Sequence, residues 1–334
     1  MARILLSGDW HIRNDELNNI HVSSILGFLD HLSDYYFEND IDYLFVIGDV
    51  FHKSSNIKNE AFIPLFMKLF KMKEKGMKMI FIPGNHDIMN INNDTIIETF
   101  AAFGEVYKKK TDLIIDGEEF IFLPYTKKES EIPKGNGEYL ITHLSIADFM
   151  FDNNFKVDEK IAFKRSLFED FKMVITGHFH KYQNKGNVYY IGSPVQIDRK
   201  EIGQTKGFGV LDTATESLEF IEYDLAPKYL EISEKDIEQI DKIDLTNCHV
   251  IVRINSKIKD FAKLRYILYE KGAINIIPIF ETSTEVNEPA LQIEEISNIG
   301  DIIEDIIKDE NVKPEHLNTE ELVKVFDKIR TTAK

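Results

Sequence analysis

Five short clusters hold most of the residues able to bind a cation or move a proton: Asp9-Trp10-His11, Gly48-Asp49, Gly84-Asn85-His86-Asp87, Thr142-His143 and Gly177-His178-Phe179-His180. Their donors are carboxylate and amide oxygens and imidazole nitrogens. The one cysteine, Cys248, lies far along the chain from all of them. Oxygen and imidazole donors without thiolates suit Mn²⁺, Fe²⁺, Zn²⁺ or Mg²⁺ rather than a thiolate zinc site. Singly, each residue has a plain explanation. An Asp after a strand usually caps a turn, a lone His is usually packed or solvated, and Asn85 sits where a turn follows Pro83-Gly84. Five such clusters in one chain, each directly behind an apolar run, are poorly explained by chance. Asp9 and His11 are two residues apart, as are His178 and His180, and an extended strand would turn both members of each pair to one side.

The apolar runs are Arg3–Ser7, Asp42–Ile47, Lys78–Ile82, Glu138–Thr142 and Met173–Thr176. They read as strands, and strand ends are where α/β sheets gather their ligands. Helices are predicted between the first three runs. Val22, Ile25, Leu26, Leu29 and Leu32 fall at helical spacing. Glu60 to Lys75 follows, with Gly76 as its stop, and then Asp94 to Phe103, with Asp94 as the expected N-cap. Short strands dominate from there to residue 221. The predicted fold class is α/β, a layered sandwich of two sheets flanked by helices. The first body is expected to end near Pro227, giving a domain over 1–226. A strand over 248–254, a helix over 260–271 and a strand over 274–280 make a compact second domain over 227–281. A polar linker over 282–295 then precedes two amphipathic helices in 296–334.

The order D-x-H, G-D, G-N-H-D, H and G-H-x-H resembles the calcineurin-like metallophosphoesterases across about 170 residues. The resemblance implies a four-layer sandwich and two divalent metal ions, Mn²⁺ for preference with Mg²⁺ as the alternative. It assigns the first ion to Asp9, His11, Asp49 and His180, and the second to Asp49, Asn85, His143 and His178. It makes His86 catalytic with Asp87 as its orienting partner, in phosphodiester hydrolysis by a metal-activated water. Gly48-Asp49-Val50-Phe51-His52 further resembles the SbcD-like repair nucleases, in which His52 would be a second active-site histidine, and Tyr190-Ile191-Gly192-Ser193-Pro194 matches their Y-x-G-S-P segment.

That branch, whose T-even phage members are nearest in layout, implies a DNA exonuclease and endonuclease. It would process DNA ends in recombination, repair and replication. The implied partners are DNA, in part through the 227–281 cap, and an SbcC-type coiled-coil ATPase bound by the terminal helices. A homodimer is implied through helices at 56–75 and 94–103, with Phe62, Phe66, Ile96, Ile97 and Phe100 as candidates. Two other readings stay open: a phosphomonoesterase or cyclic-nucleotide phosphodiesterase of the same superfamily, and a mainly structural DNA-end-tethering subunit.

Composition narrows the field. Apolar residues at 43% and charged residues at 29% exclude wholesale disorder. No apolar run is long enough to span a bilayer. The first residues meet a charge and a motif too soon for a secretory segment, and a single cysteine fits a reducing compartment, so a cytoplasmic location is expected. Against 57 acidic residues stand 40 basic ones, a net charge of −17. The stretch from Glu281 to Lys334 alone holds 14 acidic and 6 basic residues, a net of −8. Such a balance argues against holding DNA by bulk electrostatics and leaves much of the grip to the partner ATPase. Lys108-Lys109-Lys110 is expected to be a solvated turn, and Trp10 to pack behind the metal motif.

Overall fold

The computed structural model of the chain describes residues 1–13, 20–54, 57–90, 94–151, 155–237, 239–254 and 261–280. The linker expected at 282–295 and the helices expected in 296–334 lie outside the described residues. The chain runs through β1 (Arg3–Ser7), α1 (Ile20–Glu38), β2 (Tyr43–Ile47), α2 (Asn59–Glu74), β3 (Met79–Ile82) and β4 (Glu105–Val106). Then come β5 (Thr111–Ile115), β6 (Glu118–Leu123), β7 (Tyr139–His143), β8 (Met173–Gly177), β9 (Gln183–Lys185), β10 (Val188–Tyr190), β11 (Gly207–Asp212) and β12 (Ser217–Glu222). One six-stranded sheet has the order β12-β11-β1-β2-β3-β4 and the other β5-β6-β7-β8-β10-β9. Both are mixed. β1 to β4 are parallel with β11 and β12 antiparallel beside them, and β6, β7, β8 and β10 are parallel between antiparallel edges.

The central strands are apolar throughout because both faces are covered. Alternation sends Leu5, Leu44, Val46 and Phe81 toward the helices. It sends Ile4, Leu6, Phe45, Ile47, Ile80 and Ile82 against Phe120, Phe122, Tyr139, Ile141 and Ile175 of the second sheet. α1 buries Val22, Ile25, Phe28, Leu29, Leu32 and Tyr36, the stripe expected of a helix on one face of a core. The outer face of the second sheet is different. Ile121, Leu140 and Val174 meet Leu144, Ile146, Phe149 and Phe168, which lie in loops and a short 3-10 helix, Arg165–Phe168. Among the described residues no α-helix covers this face. Leu144 and Ile146, and separately Phe155 and Val157, are two apart, a spacing of extended chain rather than of a helical turn, and the segment forms the isolated bridges Ile146–Phe163 and Met150–Lys156.

The segment after β3 also differs from expectation. It is a 3-10 helix, Ile96–Ala102, capped by Thr95, whose Oγ1 accepts from Ile97 N at 3.2 Å. Asp94 instead accepts from the Asn90 side chain at 2.8 Å. Ile97 and Phe100 are fully buried, and the Phe66 ring lies 4.5 Å from that of Phe103. These side chains belong to the chain's own core. The apolar residues that α2 leaves exposed are Ile63, Met67 and Phe70.

A third, smaller sheet follows: β13 (Lys228–Ile232), β14 (Cys248–Ile254) and β15 (Ala273–Phe280), all parallel, with α3 (Glu234–Ile237) and α4 (Phe261–Glu270). It has its own core of Ile232, Leu245, Val250, Val252, Leu264 and Leu268. β13 has no counterpart among the elements expected from the sequence. It reaches the main body where Tyr229 N donates to Gln196 Oε1 at 2.6 Å. No described helix is long and apolar enough to cross a membrane.

Candidate metal centre

Asp9, Asp49 and Asn85 follow β1, β2 and β3, while His143 closes β7 and His178 follows β8. The loop after β1 runs beside the loop after β2, with Asp9 N donating to Gly48 O at 2.9 Å and His11 N to Asp49 O at 3.0 Å. Four site residues hold left-handed backbone: Asp9 (φ 50), His11 (φ 44), Asp49 (φ 52) and His178 (φ 97). Such conformations cost about 1–3 kcal/mol each and persist only where their surroundings enforce them. Strand alternation therefore does not account for the Asp9/His11 and His178/His180 pairs, contrary to expectation. Asp9 and His11 come together through a turned backbone, and His178 and His180 go to different groups. Two glycines permit the close approach. Gly48 has φ +91, and a Cβ there would lie 2.5 Å from His143 Nδ1; a Cβ on Gly84 would lie 2.2 Å from Asp49 Oδ1.

The donors gather in two facing groups. Asp9, His11 and His180 bring one ligand atom each within 4.8 Å of one another, and Asp49, His143 and His178 do the same. Asp49 stands between the groups: its Oδ2 lies 3.5 Å from His11 Nε2 and 3.2 Å from His143 Nε2. Asn85 joins the second group, with Oδ1 2.8 Å from His178 Nδ1 and 3.2 Å from His143 Nε2.

A divalent cation fits these donors. His143 Nδ1 faces the Ile47 carbonyl at 2.8 Å, which can only accept, so the proton sits on Nδ1. In the neutral ring the Nε2 lone pair then points at two oxygens, Asp49 Oδ2 and Asn85 Oδ1, so either a proton on Nε2 or a cation between the three atoms satisfies the arrangement. In the first group His180 Nε2 and His11 Nε2 face each other at 3.0 Å, again two nitrogens converging on one point. Burial lowers His11 well below the usual histidine range and His178 to about 3. That favours the neutral imidazoles that metal binding requires. For His143 burial works downward, but the charge and hydrogen bond of Asp49 outweigh it and lift the group to about 9. Burial likewise opposes the Asp49 charge, yet His143 holds that carboxyl far below its usual range. Burial raises Asp9 to about 6 against the pull of His143 and His180.

His86 and His52 lie beside the first group. The His86 and His11 ring centroids are 4.8 Å apart, and the His52 and His86 rings stack at 5.5 Å. His52 Nδ1 is 3.4 Å from His11 Nδ1, and His11, His52 and His86 form a third group able to hold an ion. His86 Nδ1 donates to the His52 carbonyl at 2.7 Å. Asp87 does something other than orient that ring. Its buried carboxylate accepts from Gly84 N, Phe51 N and Val50 N at 2.9, 3.1 and 3.3 Å. It ties the loop after β3 to the loop after β2, and burial, then the Asp49 charge, raises it to about 7. Trp10 is buried with Nε1 donating to Ser7 Oγ at 2.8 Å. Lys108 and Lys110 pair with Glu98 and Asp112, as a solvated turn would.

One residue of the site is absent from the sequence motifs. Glu201, 1% exposed, accepts from His180 Nδ1 at 2.8 Å, and its other oxygen lies 2.7 Å from Lys206 Nζ. Burial opposes its charge, but His180 and Lys206 hold its carboxyl below the usual range. Removing one partner of such a buried pair typically costs about 3–5 kcal/mol. No spacing signal marks it, since it lies 21 positions from His180.

The chain is similar to exonuclease subunit 1 of Enterobacteria phage T4, at 24% identity over 320 residues, 91% of this chain and 92% of that one. Two solved structures are similar to 66% of the chain, each with a TM-score of 0.36. One is an archaeal phosphodiesterase, at 13% identity over 99% of its length; the other is Yfce, a phosphoesterase from E. coli, at 14% identity over all of its length. The profile of the calcineurin-like phosphoesterases matches residues 2–197, a stretch that holds every donor of both groups. The chain therefore belongs to the calcineurin-like phosphoesterase family, hydrolases that use divalent metals.

Proposed function

We propose that the chain is a metal-dependent DNA nuclease, the hydrolytic subunit of a complex with an SbcC-type ATPase that processes DNA ends. The observation that carries the chemistry is Asp49 standing between two His/Asp groups, the arrangement a two-ion phosphodiesterase needs. Similarity to an exonuclease subunit along 91% of the chain supports DNA as the substrate. When bound, the cations, Mn²⁺ for preference, offset the negative charge that builds on the phosphate during in-line displacement. Asp9, His11, Asp49 and His180 hold one ion, and Asp49, Asn85, His143 and His178 the other. With Nδ1 committed to the His52 carbonyl, His86 keeps Nε2 to hold the proton that the departing sugar oxygen takes up. His52 backs that ring by stacking and by its carbonyl. Asp87 acts through the loops, keeping Asn85 and Asp49 in one frame.

Domain boundaries near 226 and 281 belong to the same reading. The small sheet caps the site against DNA, and residues 296–334 dock on the ATPase. The dimer surface is the exposed Ile63, Met67 and Phe70 stripe of α2. Sedimentation at micromolar concentration should find a dimer for the natural chain and a monomer for Met67→Glu. A monomeric natural chain removes this part. Deleting residues 290–334 should abolish co-purification with the ATPase, and unchanged binding would move the docking site elsewhere. The function itself is tested with single- and double-stranded DNA, with Mn²⁺ or Mg²⁺, beside a chromogenic phosphomonoester. Metal-dependent DNA cleavage abolished by chelation is expected. Monoester hydrolysis without cleavage of either DNA overturns the reading.

A further inference from the structure

We infer that Glu201, backed by Lys206, is a positioning residue that sets the tautomer and direction of His180 and so governs one of the two ion sites. This rests on the two-ion reading above. Glu201 stands in a 3-10 helix, Arg199–Glu201, started by Asp198, whose Oδ1 accepts from Lys200 N at 2.7 Å. Its side chain turns inward and is almost fully buried. One oxygen takes the His180 Nδ1 proton at 2.8 Å. The other accepts from Ile197 N at 2.9 Å and faces Lys206 Nζ at 2.7 Å.

A carboxylate has no proton to give, so its partner on His180 is Nδ1–H. In the neutral ring the lone pair is then on Nε2, the nitrogen 3.0 Å from His11 Nε2. A carboxylate behind a metal-bound histidine fixes ring and tautomer in this way, and its loss typically costs about 10–100-fold in metal affinity. Lys206 serves the same end from behind. It is only 5% exposed, and its Nζ also lies 2.8 Å from the His180 carbonyl, 2.9 Å from Ser193 Oγ and 3.0 Å from Gln204 Oε1, so its three N–H donors are shared among four acceptors. Ser193 N donates to the same carbonyl at 3.0 Å. The backbone of His180 and its ring are thus held by one buried network, which also gives Ser193 of the Tyr190–Pro194 segment a role.

The second group has no counterpart to Glu201 among the described residues. His143 Nδ1 is held by the Ile47 carbonyl, and His178 Nδ1 faces Asn85 Oδ1, itself one of the donors of that group. A change at Glu201 should therefore weaken one ion and spare the other. Glu201→Gln is the informative variant. Two donors, Lys206 and Ile197 N, meet at one oxygen position, so the amide oxygen takes that place and the NH₂ turns to His180. His180 Nδ1 must then accept, and the proton moves to Nε2, where it blocks metal binding.

The test is Mn²⁺ titration of the full-length chain, with histidine tautomers read by long-range ¹H–¹⁵N correlation on the metal-free protein. The natural chain should bind two ions with His180 as Nδ1–H. Glu201→Gln should show Nε2–H and bind one ion about 10–100-fold more weakly, the other within twofold. Asp198→Ala removes the cap of the 3-10 helix and leaves Glu201 and Lys206 in place. It should keep the Nδ1–H form and both ions, even with a lower melting temperature. If Asp198→Ala loses the same ion to the same degree, general loosening explains the effect and the positioning role fails. An unchanged tautomer and unchanged affinities in Glu201→Gln overturn it outright. A natural chain that binds no Mn²⁺ instead overturns the two-ion reading on which it rests.

Discussion

The two halves of the site are held by different means. Asp49, His143 and His178 are set by sheet architecture. His143 is the last residue of β7, His178 follows β8 directly, Asp49 comes after β2 and Gly48, and His143 Nδ1 is fastened to the Ile47 carbonyl of the facing sheet. Asp9, His11 and His180 lie in loops, and His180 is fixed by the buried Glu201–Lys206 pair, while left-handed backbone occurs in both halves, at Asp9 and His11 in this one and at Asp49 and His178 in the other. One half inherits its precision from strand register, which a folded sandwich cannot easily lose. The other depends on individual side chains, and so should be the easier half to detune. Asp49 is the point where both meet.

The largest effect should come from removing that shared residue. Asp49→Asn keeps the shape but weakens both halves. With several kcal/mol of charge stabilisation at stake and tenfold in rate per 1.36 kcal/mol, turnover should fall by at least about 100-fold. Metal-dependent hydrolysis that retains a tenth of the natural rate would erase the distinction between shared and separate ligands. Next comes His86, which lies beside the first half without being one of its three ligands. His86→Ala should lower turnover by about 10²–10⁴-fold and leave two ions in anomalous scattering maps; an emptied position would make His86 a ligand. The smallest effect is expected on the architectural half. Gly48→Ala places a methyl 2.5 Å from His143 Nδ1 at φ +91. It should destabilise the fold by about 1–3 kcal/mol, seen as a lower melting temperature, and weaken the second ion before the first. An unchanged melting temperature would mean that the strand ends are softer than argued.

The same contrast explains what is legible in the sequence. Apolar runs buried on both faces announce strands, and a polar residue directly behind each run announces its end. For that reason Asp9, Asp49, Asn85, His143 and His178 stand out in the sequence alone. Backbone that turns left-handed at Asp9, His11 and Asp49 leaves no mark, because these are not glycines and the constraint comes from neighbouring loops. The division of His178 and His180 between two groups follows from the turned backbone at His178; the two-residue spacing hides it, and in the sequence only the family resemblance implies it. Glu201 is invisible for a related reason: a buried carboxylate far along the chain reads as one more surface acid. Thr95 displaces Asp94 as a helix cap because the segment winds as a 3-10 helix, a choice settled by the burial of Ile97 and Phe100. The loop cover on the second sheet is obscured for a similar reason, since Leu144 and Ile146 alternate without forming a strand of a sheet.

The most direct test of the account is a Mn²⁺ titration of the full-length chain followed by electron paramagnetic resonance. Two ions sharing Asp49 should saturate at two per chain and give the broadened, exchange-coupled spectrum of a close pair, with Asp49→Asn losing that coupling. Saturation at one ion per chain, or two ions whose spectra stay uncoupled in the natural protein, would contradict a shared centre.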